Sequence, residues 1–383
     1  MQKKIIALAI AAAFSAPAFA DTSNVTVYGV ANVSYDMTKT GTVAAANSFS
    51  SNKVSSNTSR IGLKGTEDLG DGLSAIWQIE SLINIDNNTA GAPGNTAATN
   101  TLGGRNTFAG LSSKTAGTVF LGRHDTPYNI ATRKLDIFTD GIADNRSIMG
   151  GGLATTTVGA SFDGRQPNVV AYISPAMSGL TAAIAYVAGA EGQTLAAQTK
   201  GSAWSMAGLY SLDAFYASLA YEQHNIGTAP GTLGVGIVAK ETATKLGLGY
   251  TIDAFSVGFA YEKTSDDFGG TALAAGAAAG SNVLGHNAYY LAGKYNVSAN
   301  DAIKVAYTKA GANATVNTGA KQFSLGYDHN LSKRTTVYAM YTKLSNETGG
   351  VYALSANGTG APALAAAGGA APSAFSFGMK HTF

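Results

Sequence analysis

Six of the seven arginines, Arg60, Arg105, Arg123, Arg133, Arg146 and Arg165, lie in one region of the chain; only Arg334 stands apart. Lys134, Asp136, Asp140, Asp144 and Asp163 are interleaved with them between residues 126 and 165. Guanidinium groups are charged at every accessible pH, so beside carboxylates in a confined aqueous space they act through their field. They concentrate small anions, repel cations and orient dipolar solutes without making or breaking a bond. Bond-making chemistry has weaker support. His124, His224, His286, His329 and His381 are scattered without His-x-His or His-x-x-x-His spacing, so no metal centre is expected. The chain has no cysteine, which removes disulfides and thiolate ligands alike. A serine hydrolase on an outer wall would need a serine near His381; none is marked out, and that histidine reads as an interfacial polar residue. Glu67 and Asp68 sit in a tight turn and read as solvated. The expectation is a protein that is not an enzyme and carries no cofactor or metal.

Charges that act by position need a scaffold, and the last ten residues show its type. From Ala374 the chain reads AFSFGMKHTF, with Phe375, Phe377, Met379, His381 and Phe383 on one side and Ser376, Gly378, Lys380 and Thr382 on the other. This is a strand with one apolar face that nothing later in the chain covers, which suits lipid. The same alternation recurs in Phe215–Tyr221, Lys245–Tyr250, Phe255–Tyr261, Ile303–Tyr307 and Gln322–Tyr327, and Tyr repeatedly closes the apolar face as an interfacial girdle does. Short turns near 68–71, 114–117, 175–178, 211–213, 251–253, 296–300 and 330–333 alternate with longer loops near 39–57, 86–102, 126–165, 190–200, 225–240, 264–285, 311–318 and 345–373. Seven turns and eight loops separate sixteen strands. The fold class is therefore all-β, a sixteen-stranded antiparallel transmembrane β-barrel wide enough for an aqueous channel. An even strand count lets the first strand, near Val25–Tyr35, close on the last and leaves no edge in lipid. The Ala- and Gly-rich stretches at 271–280 and 363–371 read as surface loops rather than helices.

Composition agrees with a barrel. Mean hydropathy is only +0.07, and no stretch beyond the N-terminus approaches the roughly 20 apolar residues of a spanning helix. Strands escape that test, because lipid faces only every second residue. At the N-terminus, Lys3 and Lys4, the apolar run from Ile5 to Phe14 and the small-residue site Ala18-Phe19-Ala20 predict a signal peptide over 1–20, with the barrel spanning 21–383. The formal charge is +2 for the whole chain, and Lys3 and Lys4 leave with the signal. The near-neutral remainder gives no reason to expect a nucleic-acid partner.

Several segments together resemble the general porins of Gram-negative outer membranes, of the neisserial and betaproteobacterial type. They are Val25-Thr26-Val27-Tyr28-Gly29, the run SRIGLKGTEDLGDGL from Ser59 to Leu73, Arg105-Asn106-Thr107-Phe108-Ala109-Gly110-Leu111, Leu121-Gly122-Arg123, Ser174-Pro175 and the terminal Phe383. The resemblance covers essentially the whole mature chain. It implies a homotrimer in the outer membrane, a third loop folded into each barrel, and recognition of Phe383 by the barrel assembly machinery. On that footing the expected constriction sets a basic wall of Arg60, Lys64, Arg105 and Arg165, with Arg123 next, against Asp136, Asp140 and Asp144 of the loop. Arg123 shares strand parity with Val119 and Leu121, so it faces lipid unless a bulge or the strand end turns it. A plainer alternative is that some arginines only neutralise loop carboxylates, and Lys134 and Arg146 read equally well as solvated loop charges. The expected function is passive diffusion of small hydrophilic solutes and ions with mild anion selectivity. A barrel that mainly displays its loops, as an adhesin or host-interacting protein, is the alternative. A sugar-specific channel would need an aromatic track, and only Tyr216 and Tyr290 have the inward parity.

Overall fold

The computed structural model describes residues 24–41, 50–86, 102–151, 153, 161–189, 201–226, 239–271, 276–354 and 368–383. The expected signal peptide lies outside the described residues. The strands are β1 (Asn24–Lys39), β2 (Ser50–Ser56), β3 (Arg60–Gly70), β4 (Leu73–Leu82), β5 (Thr107–Ser113), β6 (Gly117–Asp125), β7 (Arg165–Ile173), β8 (Leu180–Val187) and β9 (Ser202–Leu212). They continue as β10 (Phe215–Ile226), β11 (Ala239–Ile252), β12 (Phe255–Asp266), β13 (Asn287–Asn296), β14 (Asp301–Ala310), β15 (Ala320–Asn330), β16 (Thr335–Asn346) and β17 (Ser373–Thr382).

All pairings are antiparallel, and β17 returns to β1, so the sheet closes. Both β2 and β3 pair with β1, one above the other, and together form a single stave. The seventeen segments thus make a barrel of sixteen staves. The stave breaks at residues 57–59, where Thr58 takes a left-handed φ of 57°. The freed polar groups are recaptured locally: Asn57 N donates to Asn32 O, and Ser59 Oγ donates to the same carbonyl.

Alternation decides which way each side chain faces. On β17, Phe375 and Phe377 are 51% and 49% exposed, while Ala374 and Ser376, which alternate with them, are each 2% exposed. Leu219, Leu291, Val257 and Phe255 belong to the same exposed apolar surface. The opposite face carries Ser34, Asp36, Glu80, Glu222, Lys245 and Glu262, all buried. Gly29 and Phe383 exchange two backbone hydrogen bonds of 3.0 and 3.1 Å, which carry the closing seam to the last residue. Short turns fall where expected. Asp71-Gly72, with φ of 51° and 75°, is the pairing a two-residue hairpin of this twist favours. The first strand runs four residues past its expected end, because Met37 and Lys39 continue the alternation to pair with Phe375 and Ser373. The described parts of the two Ala-rich stretches carry no helix.

The connection from β6 to β7 carries the one α-helix among the described residues. It opens with helix α1 (Pro127–Arg133), capped by Thr126, whose Oγ accepts from Asn129 N at 3.3 Å, and started by Pro127, whose fixed φ suits a first helical residue. Its side chains meet the buried face of the staves. Tyr128 Oη donates to Glu262 Oε2 at 2.8 Å, and Tyr290 Oη donates to Asp136 Oδ1 at 3.0 Å. Phe138 packs with Tyr290, Ala292, Ala306 and Met340. Glycine makes the approach possible: a Cβ on Gly326 would lie 2.6 Å from the Phe138 ring, and one on Gly258 would press on Leu135.

Candidate functional site

A cavity of about 620 Å³ lies between this connection and the staves from β3 to β7. Arg60 opens β3, Arg165 opens β7, Arg105 lies just before β5, and Asp125 ends β6. All four border the cavity, and the connection supplies Arg133, Lys134, Asp140, Arg146 and Asp163 to its other side.

The wall arginines share their acids. Glu80, on the buried face of β4, accepts from Tyr28 Oη at 3.0 Å, holds Arg105 Nε at 2.5 Å and lies 3.8 Å from Arg60 Nε. Arg165 bonds Asp125 at 2.9 Å, its direct partner across the β6–β7 ladder, and donates to Asn106 Oδ1. Arg60 also reaches the connection, with Nη1 3.4 Å from Asp140 Oδ2.

On the connection, Arg133 is the hub. Its Nη2 lies 2.6 Å from Asp144 and 3.1 Å from Asp140, and Nη1 lies 3.5 Å from Asp136. Arg146 pairs with Asp144 at 3.1 Å. Asp144 and Asp136 are buried and face backbone: Asp144 accepts from Asp140 N and Arg146 N, and Asp136 accepts from Phe138 N and Asn145 N. Burial raises the Asp144 pKa, but Arg133 and Arg146 outweigh it and hold the carboxyl well below its usual range. Burial together with the Asp144 charge pushes Asp136 up to about 6, although Arg133 opposes the shift.

Of the eight residues expected at a constriction, Arg60, Arg105, Arg165 and Asp140 border this cavity and the other four do not. Lys64 lies nearer the β3–β4 turn, 5.3 Å from the Tyr28 ring centre, beside a smaller cavity with Trp77 and Gln78. Arg123 donates to Gly104 O at 3.0 Å, close to a register shift between Gly122 and His124 that turns the strand end. Asp136 and Asp144 act inward, bracing the connection. The expected separation into a basic wall and an acidic loop is replaced by mixed charges on both sides. The physical reason is that partly buried guanidiniums need carboxylates close by. Glu80 and Asp125 supply them on the wall, and Arg133 and Arg146 occupy the loop side.

Glu80, Asp125 and Lys380 escape a reading based on arginines alone, yet parity marks two of them. In Trp77-Gln78-Ile79-Glu80 the polar residues alternate with apolar ones, which puts Glu80 inside; Lys380 shares its face with Ser376 and Gly378. Tyr216 and Tyr290, the two inward tyrosines, hold the connection by donating to Ala131 O and Asp136 rather than forming a track.

The sequence model of the family described as Gram-negative porin matches residues 7–349. The chain belongs to that family. As a porin it lies in the outer membrane and forms a channel for passive diffusion. Among named relatives, an outer membrane porin protein of Bordetella pertussis is 32% identical, covering 88% of this chain and 93% of its own. Another, from Delftia acidovorans, is 29% identical over the full length of both. The solved structure of an anion-selective porin from Comamonas acidovorans superposes with a TM-score of 0.76 at 25% identity, covering 94% of this porin and 100% of that one.

Proposed function

We propose that this channel passes small hydrophilic solutes and ions with a mild preference for anions, and that residues 126–151 and 161–164 of the β6–β7 connection narrow it. The observation that carries the reading is the border of the central cavity. Five arginines, Arg60, Arg105, Arg133, Arg146 and Arg165, with Lys134 and Lys380, face it against Asp125, Asp140 and Asp163. Glu80, Asp136 and Asp144 lie behind the arginines and reduce the excess without cancelling it. A gap of this size is comparable to the roughly 8 Å Debye length at physiological salt, so the remaining positive field spans it. The anion selectivity of the Comamonas porin is in keeping with this sign. Within the proposed filter Arg60, Arg105 and Arg165 act on the solute directly, Asp140 tempers them, and Asp136 and Asp144 hold the loop. Lys64 and Arg123 act from further off.

Three further elements belong to the same reading. The protein is exported with residues 1–20 removed, assembles as a homotrimer whose apolar belt meets outer-membrane lipid, and is delivered to the barrel assembly machinery through Phe383. Reversal potentials in planar bilayers under a salt gradient test the selectivity. The wild type is expected to show an anion-directed potential that falls in Arg105→Ala; clear cation selectivity, or no response to Arg105→Ala, overturns it.

A further inference from the structure

A second cavity, of about 380 Å³, lies beneath residues 134–137 of the connection, on the side of the short turns that end β9 and β11. Its floor is the inner face of β10 to β13. Two of its lining residues are cations, Lys134 and Lys294. Among the described residues neither has a carboxylate within ion-pairing distance, whereas Arg60, Arg105, Arg133, Arg146, Arg165, Lys245 and Lys304 each have one. Lys134 Nζ instead rests 3.2 Å from the centre of the Tyr216 ring and 3.2 Å from Ser211 Oγ. Asp213, at the β9–β10 turn, also borders the cavity and pairs with neither lysine. The remaining lining is mixed, with Ser211, Thr251 and Ser256 on the polar side and Leu135, Ile137 and the Tyr216 ring on the apolar side.

We propose that this cavity is a solute-holding site for a small carboxylate with an apolar or aromatic body, separate from the wall arginines and sharing only Lys134 with the charge filter. An ammonium without an acidic partner lacks the charge-assisted bonds that the paired cations already have, and a carboxylate supplies them. Ile137, which is half-buried, and the small exposed parts of Leu135 and Tyr216 add favourable burial only for a solute that brings an apolar part, so chloride or acetate gains less there. The volume lies at the small end of the about 300–1,000 Å³ range of ligand pockets, which fits a single ring. The site rests on the reading of the channel as an anion-preferring pore. A solute that has passed the arginines would pause here before leaving.

Benzoate is the probe, with acetate as the control lacking a ring, and the readout is interruption of ion current through the purified full-length protein. Benzoate is expected to produce resolvable interruptions and acetate none. Lys294→Gln, which leaves the arginines untouched, is expected to shorten the benzoate dwell time about fivefold, as loss of one partly solvated charge pair would. Equal interruptions by acetate, no interruption by benzoate, or a dwell time unchanged in Lys294→Gln overturns the site. The reversal potential in chloride reports the filter separately. A channel without anion preference in which benzoate still depends on Lys294 refutes the filter and leaves this site standing.

Discussion

Arg60 on a stave and Asp140 on the β6–β7 connection meet at 3.4 Å, so one ion pair ties the wall to the connection packed against it. Asp140 also takes Arg133 at 3.1 Å, which makes it the carboxylate through which wall and loop charges are tied together. Replacing it removes a negative charge from the cavity border and leaves both arginines in place. Asp140→Asn is expected to raise the anion-to-cation permeability ratio by about two- to threefold, the scale of one screened charge at this range. A reversal potential unchanged from wild type would mean that Asp140 does not face the permeating ions.

The pH response has a defined sign. Asp136 binds its proton with a pKa of about 6, above the ordinary carboxyl value, because it is buried beside Asp144. Its protonated form is favoured by folding, so its contribution to stability grows as the pH falls from above 6 toward the ordinary range. Asp144 has the opposite linkage, and its pairing with Arg133 and Arg146 is lost only in strong acid. Between pH 7 and pH 5 the connection therefore gains positive charge, and anion preference is expected to rise by about twofold. Asp136→Asn is expected to flatten that rise; a rise of equal size in the variant assigns it to another group.

Anchoring of the connection rests on a buried charge. Lys245, 1% exposed on β11, lies 2.6 Å from Asp163 and 3.2 Å from Glu262, and Glu262 also accepts from Tyr128 Oη and Gly150 N. Lys245→Ala leaves two buried carboxylates without their counter-ion, a loss of about 3–5 kcal/mol. The open channel is expected to become noisier, and the folded band on a detergent gel to unfold at lower temperature. Lys240→Ala, an exposed change on the same strand, is expected to alter neither.

The terminal residue closes the seam. Phe383 exchanges two backbone bonds with Gly29, and its ring lies over Gly29, where a Cβ would collide with it. Deleting Phe383 removes these contacts together with the proposed assembly signal. The folded protein in the outer membrane is expected to fall while precursor export continues, as measured by fractionation and immunoblot. Normal outer-membrane levels would show that neither the seam nor the signal needs it.

The barrel was legible because its physics is periodic. Phe375 and Phe377 alternate with Ser376 and Gly378, and a face that exposes Phe on every second residue has few homes other than lipid. The site was legible in part. Arg60, Arg105 and Arg165 stood out by type and region, but which carboxylate each would take depends on ladder register. Asp125 meets Arg165 directly across β6–β7, and Glu80 serves two arginines from one position on β4. The loop offered no period to read. Asp136 and Asp144 look equivalent to Asp140 along the chain, and only the path of the backbone turns the first two toward amides and the third toward the cavity.

The absence of cysteine makes the central claim open to one direct measurement. A single Asp140→Cys variant, treated in the bilayer with a water-soluble, negatively charged thiol-reactive sulfonate, reports whether the β6–β7 connection lies in the path of the ions. A stepwise fall in single-channel conductance with a loss of anion preference is the expected result, while Leu219→Cys, on the exposed apolar face, is expected to show no change. Conductance and reversal potential that stay constant when the thiol introduced in place of Asp140 is fully modified would contradict the account.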